Sequence, residues 1–167
     1  IWQKELAAEY EWTFQTEPVE DFEYFQSFDF FKSRPIEAEP SSVCDTDENL
    51  HLEIIDVRFD EGALDALEIY DTTVGLIKFP FKIPQFTIQK KGFLDRYLHI
   101  AEHKDIDYKI YQDFSKRFVV KVNNEEKMKA FMSPELQKLI KNSDIAHLES
   151  NGEAILIFNN DLRLATI

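Results

Sequence analysis

The chain has 167 residues, enough for one domain that buries about 70% of its unfolded surface without disulfides or a structural metal. A hydrophobic fraction of 44%, with 15 Phe, excludes intrinsic disorder, and a total of 4 Gly excludes glycine-rich and collagen-like classes. Residues 1–71 hold 20 acids and 4 bases, residues 72–167 hold 12 acids and 15 bases, and a net charge of −13 so distributed argues against a nucleic-acid partner.

From the N-terminus, Trp2, Leu6 and Tyr10 recur four apart and predict a helix packed on that face. Glu11 to Gln15 alternates polar and aromatic residues, as a half-buried strand does. Pro18 suits a helix start, with Val19, Phe22 and Phe25 at helical spacing. Residues 33–49, with two prolines and three serines, read as an irregular connection with one edge strand at most. Two strands follow. His51 to Phe59 buries Leu52 and Ile54 and then changes face at Ile55, which predicts a bulge or a strand buried on both sides; Ala66 to Phe79 ends at Pro80.

The second half opens with a strand at Gln85 to Gln89 and a helix near Phe93 to Glu102. In the strand Arg117 to Val122, Phe118, Val120 and Val122 point one way, and Arg117 and Lys121 the other. Asn124 and Ser133 are helix caps. Met128, Phe131 and Met132 form the buried face of the first helix, and Leu136, Leu139 and Ile140 that of the second. The end is a meander, with turns at Asn151-Gly152 and Asn159-Asn160 between apolar runs.

These elements predict a single α+β domain over 1–167, with a mostly antiparallel sheet, helices on one face and a Phe-rich core. The chain can also be read as two β-α-β-β-type halves with a break near 80–84. LAAEYEWTF (Leu6 to Phe14), IPQFTI (Ile83 to Ile88), DIDYKIYQDFSKRFVVKV (Asp105 to Val122) and LESNGEAILIF (Leu148 to Phe158) resemble a family of uncharacterised bacterial proteins whose soluble domain follows transmembrane helices. The resemblance implies no activity. It implies a membrane segment before Ile1, and Trp2 and Lys4 suit an interfacial position.

Chemistry-bearing motifs are sparse. Gly62, Gly75, Gly92 and Gly152 lie too far apart for a P-loop, a dinucleotide fingerprint or a nucleophile elbow. The lone Cys44 cannot build a zinc site and favours a reducing compartment; Asp45, Asp47 and Glu48 would suppress its thiolate. His99 and His103, one turn apart on a predicted helix and followed by Asp105 and Asp107, are the candidate metal ligands of a hydrolase reading. Lys116, Arg117 and Lys121 are candidates for an anionic partner. Asp45, Asp47 and Asn49 match EF-hand positions, but Leu50 stands where that loop requires Gly and the flanks do not read as helices.

The expectation is therefore a non-catalytic binding or regulatory domain, tethered to a bacterial membrane on the cytoplasmic side. It would have no cofactor, and its partner would be a protein or lipid.

Overall fold

The computed structural model describes residues 2–16, 22–32, 34–36, 42–47, 49–60, 69–92, 112–159 and 163–164. Within them are six helices: α1 (Trp2–Tyr10), α2 (Phe22–Phe25), α3 (Asp29–Lys32), α4 (Gln112–Arg117), α5 (Glu125–Phe131) and α6 (Pro134–Asn142). The strands are β1 (Thr13–Gln15), β2 (Ser42–Thr46), β3 (His51–Asp60), β4 (Ile69–Lys78), β5 (Phe86–Lys90), β6 (Phe118–Val122), β7 (Ile145–Ser150), β8 (Ala154–Asn159) and β9 (Arg163–Leu164). All nine form one antiparallel sheet in the order β1-β2-β3-β4-β8-β7-β5-β6, with β9 beside β4. The α+β expectation holds. The sheet runs unbroken across 80–84, because β4 pairs with β8. Its halves are wound differently: β1 to β4 follow in chain order, whereas β5 lies between β6 and β7.

Local chemistry sets the turns and caps. The Asn124 side chain accepts from the Lys127 amide and Ser133 from the Leu136 amide, with Pro134 in the first turn. At the β7–β8 turn, Asn151 Oδ1 accepts from the Glu153 and Ala154 amides while Gly152 takes φ +103°, a conformation that strains any L side chain. The Asp45-Asp47-Asn49 segment is the β2–β3 turn. There Asp47 Oδ1 accepts from the Asn49 and Leu50 amides, and strands flank it on both sides.

The helices divide between the two faces of the sheet, where one helical face was expected. Neighbouring residues of β8 show why. Ala154, Leu156 and Phe158 pack with Phe25, Phe28, Phe30 and Phe31 of the α2–α3 segment, while Ile155 and Ile157 face Met128 and Ile140 of α5 and α6. A strand buried on both sides needs cover on both, so the second helical layer follows from AILIF itself. The first core is aromatic: the Phe30 ring lies 4.4 Å from Phe158, 5.0 Å from Phe31 and 5.5 Å from Phe59, centroid to centroid.

Four further expectations change. β3 alternates without a bulge, burying Glu53, Ile55, Val57 and Phe59, and its register against β4 is continuous; the buried Glu53 disguised the pattern. β2 is interior, between β1 and β3. Leu139 is 65% exposed on α6, since Ile140 alone of its last two turns is fully buried. In α1 the buried residues are Gln3 and Ala7, so Trp2, Leu6 and Tyr10 lie on an outer flank.

Phe158 touches the rings of Phe30, Phe31 and His147 at zero exposure. Phe158→Ala should destabilise the fold by about 3–5 kcal/mol, read from chemical denaturation midpoints. A loss below about 1 kcal/mol would mean that this core can collapse around the vacancy.

Candidate functional site

Among the described residues, a buried polar cluster joins β5, β7 and α3. On β7, His147 and Glu149 alternate with Leu148, which puts both on the aromatic face of the sheet; Gln89 of β5 stands opposite His147. All three are at most 5% exposed. Gln89 Nε2 lies 2.8 Å from His147 Nδ1, and His147 Nε2 lies 3.1 Å from Glu149 Oε2. The Gln89 amide can donate to Nδ1, and the Nε2–H then donates to the carboxylate. Glu149 accepts two main-chain bonds as well, from the Asp29 amide and, at 3.1 Å, from the Phe30 amide. These are the first amides of α3, which have no partner inside so short a helix.

Phe30 connects the cluster to Arg34. The guanidinium is 3% exposed, sits 4.6 Å from the Phe30 ring centroid and donates to the Phe30 carbonyl at 2.9 Å. The negative charge of Glu149 is felt outside the cluster too. The Lys32 ammonium is held above its usual range chiefly by its bond and ion pair with Asp29, and in smaller part by Glu149. The His147 ring packs against those of Phe30 and Phe158, and the cluster clamps α3 to the sheet.

A second group lies across β2 and β3. His51 Nδ1 is 2.5 Å from Thr46 Oγ1 and its Nε2 is 3.4 Å from Glu53 Oε2; Cys44 is the cross-strand partner of Glu53. Burial first, then the Glu53 and Asp45 charges, push the Cys44 thiol up. The suppressed thiolate expected from the sequence is thus found, with burial and Glu53 as larger causes than its chain neighbours. Among the described residues, no group of three or more His, Cys, Asp or Glu side chains could hold a metal ion.

The four predicted metal ligands, His99, His103, Asp105 and Asp107, lie outside the described residues. Lys116, Arg117 and Lys121 do not form one stripe. Lys116 and Arg117 end α4, where the strand was expected to begin, while Lys121 is on β6 opposite Thr87, about 13 Å from Arg117 along the chain. Arg117 meets different neighbours: its carbonyl accepts from the Lys91 amide at 2.8 Å, and its Nη1 donates to the Lys141 carbonyl at 3.2 Å. Sequence reasoning did not single out Gln89 or Glu149. The available signal was the pair of polar residues two apart in the otherwise apolar run IAHLE.

No family model, curated protein or solved structure matches the chain.

Two outcomes test this site. Glu149→Gln replaces one acceptor with a donor facing donors, so it should cost about 1–3 kcal/mol of stability by urea denaturation. Near pH 8, Cys44 should resist iodoacetamide in the native protein and alkylate rapidly in denaturant, because its raised pKa lowers the thiolate fraction of the folded state. Equal rates in the two states would contradict that assignment.

Proposed function

We propose that the chain is a non-catalytic binding domain of a bacterial membrane-tethered protein, with α1 lying where the chain meets the bilayer interface. One observation carries the reading. α1 turns Gln3 and Ala7 toward the sheet and leaves Trp2 42% and Tyr10 57% exposed on the flank that also holds Leu6. Exposed Trp2 and Tyr10, with Leu6 half-buried between them, suit the headgroup region, where amphipathic rings keep one edge apolar and the other wet.

The family resemblance of Leu6 to Phe14 points the same way. The buried side of α1 supports it as well: Gln3 Nε2 donates to Asp56 Oδ2 at 3.3 Å, which holds the helix by a polar contact and leaves its aromatic residues uncommitted to the core. No helix among the described residues is long and apolar enough to cross a membrane, so the tether would be a segment outside them. The clamp at His147 and Glu149 ties α3 to the sheet, so in this reading those groups serve the fold.

The chain has two tryptophans, Trp2 and Trp12, so Trp12→Phe leaves Trp2 as sole reporter. Brominated phospholipid vesicles should quench its emission, and the complete gene product should carry an apolar span of about 20 residues before Ile1. Unquenched Trp2 together with a complete sequence lacking such a span would overturn the proposal.

A further inference from the structure

The fold gathers cations that the sequence keeps apart. At the end of the sheet where β5 stops and β6 starts, the Lys91 amide bonds the Arg117 carbonyl at 2.8 Å, and Arg117 Nη1 reaches the Lys141 carbonyl at 3.2 Å. Lys90 ends β5 opposite Phe118, and Lys116 is next to Arg117. Lys91, Lys116 and Arg117 are exposed, and Lys90 and Lys141 half-exposed. The stretches 90–91, 112–117 and 141–144 that meet here hold five bases against two acids, Asp113 and Asp144, in a chain of net charge −13.

We infer that this basic corner docks the domain on anionic phospholipid headgroups. The inference rests on the tethered reading above and names the partner of the tethered domain. Charge complementarity carries it: the rest of an acidic chain is repelled by an anionic leaflet, so the corner fixes which side approaches. The neighbouring surface suits a headgroup layer better than an acidic protein strand. Beside Lys141, α6 exposes Lys138 and Leu139, an aliphatic side chain flanked by ammonium groups that can reach phosphates while it enters the interface. A few surface cations bind a membrane weakly on their own, and a tether removes that difficulty by keeping the local concentration high. Arg117 serves the fold as well, since its guanidinium satisfies a carbonyl in the last turn of α6.

The test uses the 167-residue chain and its variants with phosphatidylglycerol–phosphatidylcholine vesicles and with phosphatidylcholine alone. At about 0.05 M salt the chain should sediment with the anionic vesicles only, and at about 0.15 M, where the Debye length is about 8 Å, binding should weaken. The exposed double variant Lys91→Glu/Lys116→Glu should bind at least about tenfold more weakly while it still unfolds in one cooperative thermal transition. Lys121→Glu, away from the corner, should bind as the parent does. A parent chain that ignores anionic vesicles at low salt, or a double variant that binds like the parent, overturns the inference. Capture by soluble polyglutamate without vesicle binding also overturns it, assigning the corner to an acidic protein. Trp2 quenching in the Trp12→Phe background separates the two proposals: salt-sensitive binding with Trp2 unquenched removes the α1 reading and leaves the basic corner, and quenching that survives in the double variant does the reverse.

Discussion

The Glu149 carboxylate is the constraint on which the aromatic core depends. A four-residue helix has no stability of its own, because nucleation fixes several dihedrals for about one hydrogen bond. α3 forms here because the sheet offers its first amides an ionised acceptor at the right height. Once α3 is pinned there, Phe30 and Phe31 are delivered onto Phe59 and Phe158. Burying a carboxylate costs several kcal/mol unless its lone pairs are filled, and two main-chain amides with the His147 N–H fill three of them. His147 is in turn oriented by Gln89, so the clamp reaches across β5 and β7 before it reaches the helix.

The same logic separates the two faces of the sheet. On the aromatic face, rings packed edge to face leave little freedom, and among the described residues the polar groups buried beside the clamp are few: Glu53, which meets His51, and the Ser42 and Thr72 hydroxyls, which have no hydrogen-bond partner. On the other face, Met128, Met132 and aliphatic side chains, together with Phe86, Phe114 and Phe118, fill the space under α5 and α6, where capping by Asn124 and Ser133 supplies the ends that packing does not. α1 stands apart on β1 and β2, held through Ala7 and the Gln3–Asp56 bond rather than through its largest side chains.

What the sequence made legible was local. Asn151-Gly152, Asn124 and Ser133-Pro134 each carry their own hydrogen-bond or backbone argument within four residues, and each appears where those arguments put it. The antiparallel α+β class was readable for the same reason, since hairpin turns imply local pairing. Faces were not readable wherever a polar residue is buried. Gln3, Glu53 and Glu149 occupy inward positions, and a pattern that scores polarity as exposure must turn α1 and β3 the wrong way or see a bulge that is absent. The clamp was illegible because its partners, Asp29–Phe30 and Glu149, lie about 120 residues apart. No spacing within either segment encodes their meeting.

The basic corner is a case of the same limit acting at the surface. Along the chain, Arg117 and Lys121 look like one cationic strand face with Lys116 beside it, because they alternate with Phe118, Val120 and Val122. In the fold the helix α4 continues through Arg117, and that single shift of boundary rotates Lys116 and Arg117 away from Lys121. It also brings Arg117 to Lys91 and Lys141, which are 26 and 24 residues distant. Periodicity reports which residues a strand buries; it does not report which charges from separate elements come together at its end.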